Sequence, residues 1–180
     1  MKDLSLHLLD IAQNSMVVGS THVRIAVEVD SQLDAVRLEV GDDGRGMDEE
    51  FLRRVADPFT TTRTTRKVGL GLSLLKQNAE QTGGYLDIQS ELGKGTVVKA
   101  VFGLSHWDRQ PMGDLPGTLI LTVSAHPEIR FIFRYKSETI DFVFDTDEVN
   151  EVLEGASLQD PSIIQDLKEL VEANLEGRVE

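Results

Sequence analysis

The first stretch, "LSLHLLDIAQNSM", places Leu4, His7, Leu8, Ile11 and Ala12 at helical spacing, with Leu9 and Met16 alongside. This predicts a helix over about 3–18, stopped near Gly19. "HVRIAVEV" and "AVRLEV" alternate apolar and polar positions, the period of two half-buried strands, joined by "DSQLD". "MDEEFLRRVA" predicts a helix whose acidic first turn suits the helix dipole. "DPFTTTRTTRKV" has neither period and predicts a loop between Pro58 and Gly69. "LGLSLLKQNAEQTGG" predicts a helix ended by Gly83 and Gly84, and "YLDIQSELGKGTVVKAVF" two strands around a glycine-containing turn.

Residues 105–117, "SHWDRQPMGDLPG", read as a linker. "DLPGTLILTVSAHP" admits a strand by its Thr, Val and Ile content, but the Asp114 cap, Pro116 in a first turn and the His-Pro ending favour a helix. "EIRFIFRY" and "TIDFVF" alternate and predict a hairpin across "KSE". "DTDEVNEVLEG" and "DPSIIQDLKELVEANLEG" predict two helices with Asp caps and Gly stops. The pattern divides the chain into an α/β part over 1–104 and a small α+β extension over 105–180, and shows no internal repeat.

Composition narrows the class. A chain of 180 residues suffices for one domain with a real core, or one plus a small appendage. No apolar run approaches the ~18 residues of a membrane span. "MKDLSLHLLD" has an early Asp and no cleavable signal pattern, so a cytoplasmic location is expected. The absence of cysteine excludes disulfides, zinc thiolate sites and thiol nucleophiles. The net charge of −13 is unevenly spread: 12 Lys/Arg against 15 Asp/Glu over 1–104, and 6 against 16 over 105–180. Such an acidic second part disfavours a nucleic-acid surface, which needs cations to displace phosphate counterions. It fits an acidic docking face for a protein partner, or a solvated one.

The candidate chemistry lies in five short segments. "DDGRGMD" follows a predicted strand. A carboxylate there, Asp42, can accept a hydrogen bond from an amino group. Gly44 and Gly46 would let a flat ring approach the backbone. A plain turn explains the same residues. Asp10 and Asn14 lie four apart on one helix face. An amide oxygen can ligate Mg²⁺ and a carboxylate can deprotonate a water; a solvated polar face explains them too. Arg63, Arg66 and Lys67 stand among five threonines, a composition suited to a phosphate-binding cover or to a solvated loop. Gly69 and Gly71 open a helix whose first N–H groups could meet phosphates. "GKGT", ending at Thr96, is a turn. The P-loop is excluded, since Gly95 follows Lys94 and Ile88 occupies the first glycine position. The dinucleotide pattern is excluded by Leu74.

In this order, Asp-x-x-x-Asn, Asp-x-Gly-x-Gly, Pro-Phe, Gly-Leu-Gly-Leu and Gly-x-Gly-Thr, the segments over about 3–104 resemble the ATP-binding domain shared by gyrase, Hsp90, histidine kinases and MutL. "DPFTTTRTTRKVGLGLSLLKQ" and "GKGTVVKAVF" look most like the histidine-kinase branch, and "LLDIAQNS" more like MutL and the topoisomerases. The resemblance implies a two-layer α/β sandwich, with helices on one face of a mixed, mostly antiparallel sheet. It implies ATP and Mg²⁺ as ligands. Asp42 would accept the adenine amino group, with Gly44 and Gly46 against the ring. Asn14 would hold Mg²⁺, and Asp10 would stand where the family carries a water-activating Glu. Residues 57–69 would form the lid, with Phe59 as anchor and Thr62, Arg63, Arg66 and Lys67 toward the nucleotide. Gly69, Leu70, Gly71 and Leu72 would meet the phosphates, and Thr96 would sit near adenine or help hold Asp42.

Lys67 replaces a glycine common in the histidine-kinase motif, and Asp10 is one methylene shorter than Glu. Nine residues precede Asp10, so no phosphoacceptor helical pair is expected before it, and His7 reads as a core or surface residue. The implied function is a Mg-ATP-binding regulatory protein, an ATPase or protein kinase acting on a protein partner. The other reading is a nucleotide-sensing module without significant turnover. A DNA-repair-like clamp is disfavoured by charge.

Overall fold

The computed structural model describes residues 2–56 and 69–180. Helix α1 (Leu4–Val17) starts at Asp3, whose carboxylate accepts the Leu6 N–H, and ends before Gly19, at φ +80°. Strands β1 (His22–Asp30) and β2 (Ala35–Asp42) form an antiparallel pair. Helix α2 is only Glu49–Leu52, shorter than the helix predicted over this segment. None of its residues is fully buried; Leu52 packs partly against the core, and among the described residues beyond it Val55 is buried. Two apolar contacts are little to hold a longer helix.

Helix α3 (Gly69–Gln81) leads into strands β3 (Tyr85–Glu91) and β4 (Gly95–Gly103). Helix α4 (Leu115–Ala125) resolves the ambiguous segment: Asp114 caps it through the Gly117 N–H, with Pro116 in its first turn. Strands β5 (Arg130–Lys136) and β6 (Asp141–Asp145) form the expected hairpin, followed by helices α5 (Thr146–Leu153) and α6 (Pro161–Asn174).

The six strands make one sheet in the order β3-β4-β2-β1-β5-β6. All neighbours are antiparallel except β1 and β5, which pair in parallel with Ile25 beside Phe133. The alternation read from the sequence becomes one apolar face: Val23, Ile25 and Val27, then Leu38 and Val40, Val98 and Phe102, Phe131, Phe133 and Tyr135. Helices cover that face. The opposite face carries charge, with Arg37 paired to Glu28 and Asp30, and Arg134 to Asp141. This is the two-layer arrangement the sequence implied.

Residues 105–180 thus add two strands to the sheet that starts with β1–β4. The segment before α4 is also fastened to α1, through Leu4 N–H to Pro111 O (3.0 Å) and Ser5 N–H to Met112 O (2.9 Å). Thr146, 1% exposed, accepts the Phe131 N–H at 2.9 Å and ties α5 to β5.

Candidate functional site

At the end of β2, Asp42 lies on the helix-covered face, opposite Val23 in one neighbour strand and Thr96 in the other. Its carboxylate is held from two sides. Ser15 of α1 donates its hydroxyl to Oδ2 at 2.7 Å, and the Gly44 N–H reaches Oδ1 at 2.9 Å. Each carboxylate oxygen keeps lone-pair capacity for a further donor. Ser15 was not singled out from the sequence. It shares the buried stripe of α1 with Leu4, Leu8, Ile11 and Ala12, and a polar residue on an apolar stripe is the signal that marks it.

The neighbouring Asp43 has a structural task. It accepts from the Thr21 N–H and hydroxyl and from the His22 N–H, and its Oδ2 lies 3.0 Å from His22 Nδ1. Desolvation opposes ionisation, but these bonds together outweigh it and hold the carboxyl well below the usual range. Of the two adjacent carboxylates, Asp43 fastens the start of β1 to the end of β2, and Asp42 faces the helices.

The glycines of the turn are needed by the protein itself. A Cβ on Gly44 would lie 2.6 Å from Val18 Cγ2 and 2.7 Å from Ser20 Oγ. Gly46, at φ +66°, has the backbone carbonyl of Glu91 where a Cβ would stand. The turn is therefore pressed between the end of α1 and the β3–β4 hairpin. Thr96 bonds the Ser90 hydroxyl at 2.8 Å, and Ser90 accepts the Met47 N–H at 2.8 Å. Thr96 supports the turn through Ser90, while the side-chain hold on Asp42 comes from Ser15.

On α1, Asp10 and Asn14 are both half-buried, and among the described residues neither side chain has a hydrogen-bond partner. An asparagine in a helix interior costs helix propensity, and no bond here compensates it. Burial raises the Asp10 carboxyl above its ordinary range, partly offset by His7. A Cβ on Gly71 would fall on Asp10 Oδ2, so the carboxylate lies directly against the first turn of α3. Gly69 and Leu70 form the start of that turn. Leu72 is 4% exposed, its side chain in the core, which leaves only its backbone to face a ligand. Phe59, Thr62, Arg63, Arg66 and Lys67 lie outside the described residues.

The donor set suits a magnesium nucleotide. Asn14 offers an oxygen with no partner among the described residues, and Mg²⁺ commonly takes one or two protein ligands and fills its shell with phosphate oxygens and water. The first turn of α3 has N–H groups without partners inside the helix, as every helix start does. No helix among the described residues is long and apolar enough to cross a membrane.

The chain is similar in sequence and in fold to known proteins. Residues 2–106 match the family model described as "Histidine kinase-, DNA gyrase B-, and HSP90-like ATPase". A "Putative sensor protein" of Shewanella frigidimarina is 36% identical over 104 residues, which are 56% of this chain and 16% of that protein. "Sensor kinase CckA" of Brucella abortus is 42% identical over 69 residues, 38% of this chain and 7% of that one. The chain spans less than a fifth of the length of either relative. Among solved structures, the "N terminal domain of a DNA repair protein" superposes with a TM-score of 0.56 at 15% identity. It covers 81% of this chain and 52% of that one. The shared fold therefore extends beyond the segment matched by the family model.

Proposed function

Because the chain belongs to the histidine kinase-, DNA gyrase B- and HSP90-like ATPase family, we propose that it binds Mg-ATP and acts as an ATPase or protein kinase on a protein partner. The observation that carries this reading is Asp42, fixed by Ser15 and the Gly44 N–H with acceptor capacity to spare. In this reading Asp42 takes the adenine amino group, and Gly44 and Gly46 shape the turn beneath the ring. Thr96 supports that turn. Asn14 holds the metal, whose charge, when bound, offsets that of the phosphates. The backbone of Gly69, Leu70, Gly71 and Leu72 faces the phosphates. Phe59, Thr62, Arg63, Arg66 and Lys67 belong to the lid. Asp10 receives the proton of the attacking water, and its raised pKa suits a base poised closer to neutral pH. The acidic part over 105–180 supports docking on a partner of complementary charge, and the composition a cytoplasmic setting.

A second reading has its own support. Asp10 is shorter than the Glu of hydrolysing relatives and sits against Gly71. A reach wrong by on the order of 1 Å costs about 100-fold in rate, which would leave a nucleotide-sensing module with little turnover.

One experiment tests both. Purified protein is given Mg²⁺ and γ-labelled ATP, and bound nucleotide, released phosphate and protein-bound label are followed together. Asp42→Asn should abolish binding; normal affinity in that variant overturns the site. Asp10→Asn should spare binding and remove any phosphate release. Tight binding without release or label in the wild type means a nucleotide-sensing module or a kinase awaiting its substrate, and label transfer to partners captured with and without ATP separates the two.

A further inference from the structure

His7 is a buried titratable group that the proposed function leaves unused. It is 1% exposed, one turn before Asp10 on α1. Its Nε2 lies 3.0 Å from Asn78 Nδ2 on α3 and 3.0 Å from Gln110 Oε1 in the segment leading to α4. Its Nδ1 is buried with no hydrogen-bond partner. Burial lowers its pKa, outweighing Gln110 and the nearby Asp10 and Asp3, so the ring is neutral at neutral pH. One neutral ring nitrogen cannot donate to Gln110 and accept from Asn78 at once. With the Asn78 amide turned over, an Nε2–H serves two carbonyl oxygens. A leucine would fill this position without burying polar atoms, one of them unsatisfied.

The spacing gives the cluster a task. On α3, Gly71 and Asn78 are two turns apart and share a face, with the fully buried Leu75 between them. On α1, His7 and Asp10 are one turn apart and share a face. Gly71 meets Asp10 and Asn78 meets His7, so the two helices run antiparallel across this contact. The His7–Asn78 contact sets how α3 is rotated and seated, close to where the Asp10 carboxylate occupies the space left by Gly71. Gln110 adds a third element to the clamp.

We infer that His7 is a positioning residue for Asp10: through Asn78 and Gln110 it holds α3 at the spacing that keeps the Asp10 carboxylate against the first turn of that helix. Its effect on turnover rests on the proposed nucleotide reading; its effect on Asp10 does not.

The test compares the full chain with His7→Leu and His7→Gln. Glutamine can still reach Asn78 and Gln110; leucine cannot bond to either. Four quantities are read: the melting transition, ATP affinity, phosphate release at saturating Mg-ATP, and the titration of the Asp10 carboxyl by ¹³C NMR without nucleotide. In His7→Leu we expect a cooperative melt and near-normal ATP affinity. Phosphate release should fall by about tenfold to 100-fold and return in His7→Gln. Both variants lose the lowering influence of the imidazole on Asp10, so the Asp10 midpoint is compared between them: it should lie closer to the ordinary carboxylate range in His7→Leu, where water enters the loosened contact, than in His7→Gln. A folded His7→Leu protein whose Asp10 midpoint matches that of His7→Gln overturns the inference. If His7→Leu does not fold, Asn78→Leu replaces it under the same readouts. If the wild type releases no phosphate, or Asp42→Asn binds ATP normally, the Asp10 titration alone decides on His7.

Discussion

Placing a single methyl group at position 71 probes the contact between Asp10 and α3 without any assumption about nucleotide. Gly71 lies inside α3 and is not among the glycines at positive φ, so alanine fits its backbone. By propensity alone Gly71→Ala should stabilise the helix by up to ~1 kcal/mol. The new Cβ, however, falls on Asp10 Oδ2 and lies 2.8 Å from Asp10 Cγ. Restoring van der Waals separation needs a movement on the order of 1.5 Å in Asp10 or in α3. Overpacking of this kind costs about 1–3 kcal/mol, so Gly71→Ala is expected to be neutral to destabilising by about 2 kcal/mol. In an Asp10→Ala background the obstruction is gone, and the same substitution should stabilise. The predicted coupling between the two sites is therefore about 1–3 kcal/mol. Urea unfolding of the wild type, both single variants and the double variant measures it, provided the slope with denaturant stays constant across the set. Additivity within about 0.5 kcal/mol would refute the juxtaposition of Asp10 and Gly71, and with it the geometry on which the assignment of Asp10 depends.

Three further outcomes are expected. Ser15→Ala removes the 2.7 Å hydroxyl bond to Asp42 and should weaken ATP binding about tenfold, the equivalent of ~1.4 kcal/mol; unchanged affinity by calorimetry would show that Asp42 needs no such hold. Thr146→Val strips the buried Phe131 N–H of its acceptor and should destabilise by about 1–3 kcal/mol in urea unfolding; a loss below ~0.5 kcal/mol would contradict a buried, unsatisfied amide. Stability should also depend on pH through His7. The unfolded chain takes up a proton near pH 6.5, whereas the folded chain resists it. This contribution is complete above that pH. It is lost as the pH falls from there toward the lowered folded value, at up to about 1.4 kcal/mol per pH unit. His7→Gln should flatten that part of the curve, and identical slopes in both proteins would contradict a neutral, buried His7.

Much of this fold was legible because its strands are half-buried. Alternation in "HVRIAVEV", "AVRLEV" and "EIRFIFRY" records directly which side faces the helices. Helix α4 was harder, since several of its Leu, Ile, Thr and Val residues are buried and its capping chemistry, not its period, identifies it. The predicted helix after "DDGRG" was too long because its acidic first turn says how a helix would start and not whether anything will bury it. The parallel pairing of β1 with β5 has no local trace: partner choice across about a hundred residues is decided by packing. At the site, Asp10, Asn14, Asp42 and Gly71 were readable as spaced motifs. Their neighbours Ser15, Ser90 and Asn78 were not, because a polar residue's partner in a distant element is invisible until the elements are assembled.

The parallel β1–β5 pairing also bears on synthesis of the chain. β1 sits in the interior of the finished sheet, but the strand that covers its second side comes last of its neighbours. At about 5–20 residues per second, the ribosome needs on the order of seconds to make the roughly thirty residues separating the end of β4 from the end of β5. During that interval the emerging sheet presents a nine-residue strand with one row of backbone donors and acceptors open. A nascent chain stalled near residue 104 would keep that adhesive surface. Arrival of β5 and then β6 moves that open edge from the nine-residue β1 to the five-residue β6, with β3 the other edge throughout, so docking shortens the surface through which newly made protein could self-associate.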